Sequence, residues 1–490
     1  MQDKLEASIK PGLIIGISLI LGFVFDLFFY EKIPGVSFPL YIILILSGLF
    51  LSVKVFKKHP AKDVFWLLLP LIFFSSMVFF RASILLTFLN IVLSLFLLLV
   101  IADVFWNGKL RSFLISDYIR IFFLPLMFLR PLFQTFGDLL SWKKAEENQK
   151  IFSQVVRGII ITAPFLIIFV VLFSSADLIF QKYISNIINL DIEPETIFRS
   201  LLVLAVTLVF IGAYSFILRN SENSAGRRQV GEGYTLGVIE SNILLSSVNF
   251  LFLIFIILQL TYLFGGESNI SSQGFTYAEY ARRGFFELIA VAILSLLLLL
   301  AVDKYIIRKE EEHSLTFKIL STSLIAQVIL VMSSAYMRLA LYEDAYGFTT
   351  LRLYSHAFII LLAVIFGLLV YKIYRDVREN SFAARAFIAV MLFLAAMNIM
   401  NPDAFIARRN IERFQFSGDL DVFYLAGLSD DAAKESAGAL NISDENLRNN
   451  FARELYWRHQ NRKGSPYFTS WQSFNLSRWN ADRLFRELLL

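Results

Sequence analysis

The sequence contains no cysteine, and this absence excludes disulfide bonds, thiol catalysis and thiolate-ligated metal sites. The motifs of phosphate-binding loops, serine-hydrolase elbows and zinc-protease helices are also missing. Histidine is scarce as well, and a site built from several histidines would need residues from distant parts of the chain to converge: His59, His313, His356 and His459. We therefore predict no cofactor, no metal and no catalytic residue. The sequence favours a non-enzymatic protein, although an enzyme stays open.

Charged residues make up only 17% of the 490 residues, whereas an average soluble domain has about 25%. Apolar residues replace them: 57% of the chain is hydrophobic, Phe alone accounts for 51 residues, and the mean hydropathy is +0.64. The charges lie between long apolar runs, which is the pattern that a bilayer imposes. The chain is therefore predicted to be an all-α polytopic membrane protein whose main partner is the lipid bilayer. The net charge of +5 follows from basic loops on one side of a membrane and requires no nucleic acid.

Eleven apolar runs have the roughly 17–25 residues that a transmembrane helix needs. The third and fourth runs are separated only by Arg81, which predicts a tight helical hairpin with this residue at its tip. The first run is followed by no small-residue cleavage site, so we interpret it as a retained helix and not as a signal peptide. The predicted spans are 11–30, 38–55, 64–80, 82–102, 158–178, 200–218, 242–264, 284–302, 317–337, 355–372 and 383–400.

Segment 110–142 is apolar in part but is not predicted to cross the membrane. Charged residues recur along it, and Pro125 interrupts its longest uncharged run. A crossing would place Arg120 deep in hydrocarbon, at a cost of about 2.5–3.5 kcal/mol. The segment is therefore predicted to be an interfacial amphipathic helix pair or a re-entrant element.

The distribution of Lys and Arg gives the predicted helices a direction. Of the 45 basic residues, eight lie in the loops on one side and twelve in the tail beyond residue 400, while the remaining 25 lie on the other side. The positive-inside rule then predicts a multi-pass protein of the bacterial cytoplasmic membrane, with a cytoplasmic N-terminus and an extracytoplasmic C-terminus. The predicted domains are four spans in 1–102, a cytoplasmic amphipathic segment in 103–157, a seven-span core in 158–400 and a small helical C-terminal domain in 401–490, docked on the membrane helices.

Polar residues are concentrated at the predicted outer ends of several spans. Glu279, Arg283 and Glu287 follow one another at four-residue spacing, as do Arg352 and His356, so each set shares one helical face. We predict an outward-facing polar site in which Glu287 and His356 titrate and the arginines bind an anion. In the plainer interpretation the arginines snorkel to the interface and the acidic residues form structural ion pairs. The candidate site residues are Glu279, Arg282, Arg283, Glu287, Arg338, Arg352, His356, Asn401, Asp403 and Arg408.

Six short strings occur in order along the second half of the chain. They start at Gln259, Thr276, Arg338, Asn401, Leu420 and Trp471 and read QLTYLFGG, TYAEYARRGFFE, RLALYEDAYGFT, NPDAFIARRNI, LDVFYLAGLSDDA and WQSFN. Together they resemble the bacterial polytopic membrane family catalogued as domain of unknown function 4173, with its sibling 4153. The resemblance covers roughly residues 150–490, while earlier residues match only as generic membrane helices. It implies a multi-spanning bacterial membrane protein, and it assigns no activity and no residue role.

Three functions are consistent with the sequence. The first is a non-enzymatic envelope binding or scaffold protein, or a sensor, which binds an envelope protein partner through its tail and outer loops. The second is a transporter of a small solute, for example an anion, which would need a cavity reaching the membrane midplane. The third is a membrane enzyme acting on an envelope or lipid-linked substrate, which would need two acid–base groups around one cavity.

Overall fold

The computed structural model describes residues 2–55, 60–105, 110–140, 194–219, 237–263, 285–305, 311–463 and 465–489, and every regular element in these ranges is helical. Ten of the helices are long and apolar enough to cross a membrane. The prediction of an all-α polytopic bundle is thereby confirmed. The ten are α1 (Gln2–Phe29), α2 (Ser37–Val55), α3 (Lys62–Phe80), α4 (Ile84–Val104), α8 (Pro194–Arg219), α9 (Val238–Leu263), α10 (Phe285–Tyr305), α11 (Glu311–Tyr346), α12 (Thr350–Arg375) and α13 (Glu379–Met400).

Ten of the eleven predicted spans match these helices, and the remaining one, 158–178, lies outside the described residues. Segment 110–142 contains three short helices: α5 (Ile115–Phe122), α6 (Leu124–Met127) and α7 (Leu129–Leu140). The chain bends by 66° after α5, so the segment is either one broken span or a re-entrant element. Its polar contacts, Arg120 to Asp103 at 2.9 Å and Thr135 to Ser215 at 2.6 Å, lie near the ends of α4 and α8. Both contacts thus lie at one end of the bundle, as expected of an interfacial or re-entrant element.

The hairpin between α3 and α4 is as tight as the sequence predicts. The helical hydrogen bonds of α3 end at Arg81, whose backbone is extended, and α4 begins directly after Ser83, which is also extended. Three residues therefore reverse the chain. A turn this short leaves the backbone N–H groups of Ala82 and Ser83 without helical partners, and other parts of the chain must supply acceptors.

Helices α1 and α8 run antiparallel and form one of the closest helix contacts in the bundle. Arg199 donates to both carboxylate oxygens of the buried Asp26, at 3.1 and 2.7 Å. One turn towards the start of α1, a Cβ built on Gly22 would lie 2.7 Å from the carbonyl oxygen of Val203. Glycine is therefore required at this position, because any side chain would force the two helices apart.

The buried apolar residues of the bundle form two clusters. The first joins α1–α8 and the end of α13, and the second joins α9, α10, α11 and α12. Inside the first cluster Asn90 of α4 and Asn398 of α13, both fully buried, exchange two amide hydrogen bonds of 2.8 and 2.9 Å. A reciprocal amide pair satisfies both side chains in apolar surroundings and fixes the register of the two helices.

The chain after residue 401 forms a domain of short helices with its own apolar cluster. This cluster includes Ile406, Leu425, Phe451 and Phe485. The domain lies against the ends of α1, α3 and α13 and the starts of α2, α4 and α12, and we call this end of the bundle the docked end. The helices of the domain are α14 (Pro402–Ser417), α15 (Val422–Gly427), α16 (Ala433–Ser436), α17 (Glu445–Lys463), α18 (Pro466–Thr469) and α19 (Leu476–Leu489).

Candidate functional site

Asp431 holds the C-terminal domain on the tip of the α3–α4 hairpin. Its carboxylate accepts from the backbone N–H of Ala82 at 3.0 and 2.9 Å and from that of Ser83 at 2.8 Å. These are the two N–H groups that the tight turn leaves unpaired. Burial raises the pKa of the Asp431 carboxyl, although the hydrogen bonds of its charged form and the nearby Arg81 oppose the rise.

Two asparagines complete this attachment. Asn475, almost fully buried, donates to the carbonyl oxygens of Val78 and Arg81 at 3.0 and 2.9 Å, so it caps the last turn of α3. Asn401 donates to the carbonyl oxygen of Asp431 at 2.9 Å. The contact between the domain and the bundle thus depends on side-chain bonds to backbone groups, which hold the domain in one orientation.

The α1–α2 loop meets the domain through its backbone. The N–H of Val36 donates to the carbonyl oxygen of Phe474 at 2.8 Å. The neighbouring Gly35 is so close that a Cβ built on it would lie 2.5 Å from the same oxygen. Only glycine allows the two backbones to approach in this way.

A cavity of about 700 Å³ lies in the seam between the hairpin and the C-terminal domain. This volume falls within the range of about 300–1,000 Å³ typical of small-molecule sites. Apolar residues from the start of α4 form one wall, and polar residues of the domain form the other. The lining includes Ile84, Leu85 and Phe88 on the α4 side and Asp403, Gly427, Ser429, Asp430, Arg458 and Arg478 on the domain side.

Two residues of the polar wall, Asp403 and Ser429, have oxygen atoms whose hydrogen-bonding capacity is not used within the described part of the chain. Asp403 is only 4% exposed; its Oδ2 accepts one bond of 3.3 Å from the N–H of Ser429, and its Oδ1 is buried without a partner. The hydroxyl of Ser429 is likewise buried without a described partner. Buried polar atoms of this kind are costly unless a water molecule or a ligand satisfies them.

The two arginines of the cavity have protein partners. Arg458 donates to the carbonyl oxygens of Ala426 and Leu428 and to the carboxylate of Asp430 at 3.2 Å. Arg478 donates to a backbone carbonyl at 3.0 Å and lies over an aromatic ring. The cavity residues with atoms unpartnered in the described ranges are therefore Asp403 and Ser429, and a ligand would have to supply hydrogen-bond donors to them.

A second polar group lies where α11 ends and α12 begins. The Nδ1 of His356 is 3.1 Å from the Oε2 of Glu343, and both side chains are buried. The Nε2 of His356 lies 3.1 Å from the carbonyl oxygen of Tyr336, which can only accept, so Nε2 carries a hydrogen. The imidazole of His356 thus connects the side chain of Glu343 to the backbone of Tyr336.

The predicted site residues separate into several places. His356 is paired as described, and Arg352 stacks on Tyr342 at 4.1 Å and donates to the carbonyl oxygen of Gly347. Of the remaining members, Glu287 and Arg408 are exposed, Arg338 is partly buried, Asn401 and Asp403 lie at the seam, and Glu279, Arg282 and Arg283 lie outside the described residues. The structure thus brings Asn401 and Asp403 to one seam, while a single site containing all ten residues stays a prediction.

Sequence reasoning missed the residues that form the seam on the domain side. Asp431, Asn475 and Arg458 had no role assigned, because their partners are backbone groups far away in sequence. Glu343 was also missed as the partner of His356, because the two residues are thirteen positions apart and lie on different helices. Within the described ranges no three His, Asp or Glu residues come together as metal ligands.

The described residues contain ten candidate spans and a docked helical domain, which together define a multi-pass integral membrane protein. The chain belongs to the family described as domain of unknown function 4153, whose model matches residues 68–437. This is the sibling of the family that the sequence strings suggested, and the match to 4173 itself is not shown. The match begins in α3 and includes α4–α7, so these helices are part of the family region and not only generic spans, whereas α1 and α2 lie before it. No curated protein and no solved structure matches the chain.

Proposed function

We propose that this chain is a non-enzymatic binding protein of the bacterial cytoplasmic membrane, acting as a sensor or scaffold, and that its docked end lies outside the cytoplasm. The observation that carries the proposal is the seam cavity, because its walls come from both the membrane bundle and the C-terminal domain. A ligand in this position would contact both parts. Binding would then stabilise the docked arrangement, and loss of ligand would loosen it, which is how a sensor couples occupancy to shape.

The absence of cysteine makes a direct test of binding possible, because one introduced cysteine is the only thiol in the chain. Gly427 lines the cavity, and a Cβ built on it meets nothing within 4 Å, so Gly427→Cys places an attachment point for a fluorophore there without a clash at Cβ. The purified full chain would be titrated with a lipid extract and with a water-soluble extract of bacterial envelopes. We expect one extract to change the emission at Gly427→Cys but not at the exposed Ser417→Cys. Equal responses at both positions, or none, would exclude a ligand site in the cavity.

The proposed orientation is tested with an impermeant maleimide on intact cells. Ser417 is exposed in the C-terminal domain, and Val55 is exposed at the opposite end of α2. We expect Ser417→Cys to react in intact cells and Val55→Cys only after permeabilisation. The opposite result would place the docked end in the cytoplasm.

Transport is the second candidate, because the bundle contains charged pairs between spans. Lys372 of α12 pairs with Asp303 of α10, and both side chains are buried. Buried charges within spans are typical of ion and substrate pathways. If the chain transports a small solute, Asp303→Asn should abolish uptake into proteoliposomes without changing the fluorescence response of the seam cavity. Unchanged uptake of every solute tested would remove this candidate.

A further inference from the structure

We propose that the ligand of the seam cavity is a membrane lipid whose head group carries a hydrogen-bond-donating ammonium. This inference rests on the proposed function, since it names the ligand class of the same cavity. It follows from three features of the cavity walls: their apolar side, their unsatisfied acceptors and their charges.

The apolar side of the cavity is continuous with the lipid-facing surface of the bundle. Ile84 is 88% exposed and Phe88 is 60% exposed, and both line the cavity from the first two turns of α4. Exposed apolar side chains on a membrane-spanning helix face acyl chains. An amphiphile can therefore place its head group in the cavity while its chains stay along α4, whereas a fully polar solute would leave this wall uncovered.

The polar side of the cavity requires donors. Asp403 Oδ1 and Ser429 Oγ are buried and have no partner in the described ranges, and Asp403 receives only one long bond from the backbone. An ammonium with N–H groups supplies donors to both atoms and a positive charge to the carboxylate. A quaternary ammonium supplies the charge but no donor, and a glycerol head group supplies donors without positive charge.

The charge distribution also fits a zwitterionic head group. The cavity is lined by the carboxylates of Asp403 and Asp430 and by the guanidinium groups of Arg458 and Arg478. Asp430 is paired with Arg458, and the cavity lining as a whole contains as many carboxylates as guanidinium groups among these four residues. Arg478 donates to a backbone carbonyl through one nitrogen, and its guanidinium is the group that we assign to the phosphate of the lipid. The ammonium of the lipid then lies on Asp403 and its phosphate on the Arg478 side.

The test is native mass spectrometry of the purified full chain with three lipids that have identical acyl chains. Phosphatidylethanolamine has an ammonium with donors, phosphatidylcholine has one without donors, and phosphatidylglycerol has hydroxyl donors without a cation. We expect phosphatidylethanolamine to bind about 10- to 100-fold more tightly than phosphatidylcholine, the effect of a hydrogen bond to a charged group. Equal binding of the two, or stronger binding of phosphatidylglycerol, would overturn the inference.

Three variants connect the preference to the cavity. Asp403→Asn should remove the preference for phosphatidylethanolamine, whereas Asp419→Asn, an exposed carboxylate of the same domain, should retain it. Ser429→Ala should weaken the preference about 2- to 10-fold, the effect of one neutral hydrogen bond, and it tests the site even if Asp403→Asn does not fold. A preference unchanged in Ser429→Ala and in any folded Asp403→Asn would overturn the inference. If no lipid is preferred but a water-soluble extract still changes the signal at Gly427→Cys, the lipid inference fails while the binding function stands.

Discussion

The attachment of the C-terminal domain depends most on Asp431, and its replacement is the sharpest test of the seam. The carboxylate is the acceptor for two backbone N–H groups at the hairpin tip, those of Ala82 and Ser83. In Asp431→Ala both lose their acceptor in a buried position, at about 1–3 kcal/mol each, so the docked state should lose about 4 kcal/mol. In Asp431→Asn the amide oxygen retains one of the two bonds, and the loss should be about 2 kcal/mol.

The opening of the seam can be measured through a single buried thiol. Ser473 is 1% exposed and lies in the part of the domain that contacts the α1–α2 loop, so Ser473→Cys reacts with a maleimide only when the seam opens. A change of about 1.4 kcal/mol alters the open fraction tenfold. The labelling rate should therefore rise about 30-fold in Asp431→Asn and about 1,000-fold in Asp431→Ala. The exposed Ser417→Cys is the control, and its rate should not change.

The result that would refute this reasoning is equally specific. If Asp431→Ala labels at Ser473→Cys no faster than the parent, the carboxylate does not hold the domain on the hairpin. If Asp431→Asn and Asp431→Ala give the same rate, the stability of the seam does not depend on how many of the two backbone N–H groups, those of Ala82 and Ser83, keep an acceptor.

Three further predictions concern the seam and the buried amide pair of the bundle. Gly35→Ala should raise the labelling of Ser473→Cys about 100-fold or more, because its Cβ would collide with the carbonyl oxygen of Phe474 and a backbone must shift; a parental rate would show that the loop yields freely. Asn90→Leu should lower the melting temperature of the purified chain, since it leaves the buried amide of its partner unpaired at about 1–3 kcal/mol, and the melting temperature should recover in the double variant with Asn398→Leu. Because burial raises the pKa of Asp431, the folded state holds the proton more tightly than the unfolded state does. This residue should therefore favour docking at low pH and lose that contribution as the pH rises through its folded pKa. The difference between the labelling rates of the parent and Asp431→Asn, each normalised to Ser417→Cys, should show this pH dependence.

Most of the membrane architecture was predictable because run length and charge position are local properties of the sequence. Apolar runs identified ten described helices, and Arg81 identified the hairpin tip, since a single charge between two runs leaves no other place for a turn. The bend after α5 agrees with the recurring charges and Pro125, which argued against an ordinary crossing.

The seam was not predictable from the sequence, for a physical reason. Asp431 and Asn475 bind backbone groups about 350 and 400 positions away, and a backbone acceptor or donor leaves no mark in the residue types. Asp403 could be placed near the end of the last span, but not opposite α4, because only the tertiary structure brings the two together. The family strings gave no help, since they carry no activity.

The most direct test of the central claim, that cavity occupancy and docking are linked, is the labelling rate of Ser473→Cys with and without ligand. The purified full chain would be placed in phosphatidylcholine nanodiscs with increasing phosphatidylethanolamine, alongside Ser417→Cys. We predict that labelling at Ser473→Cys slows in proportion to the occupancy of the cavity, since a ligand that binds only the docked state lowers the open fraction. A rate that stays constant, while either this lipid or an active envelope extract saturates the signal at Gly427→Cys, would contradict the account.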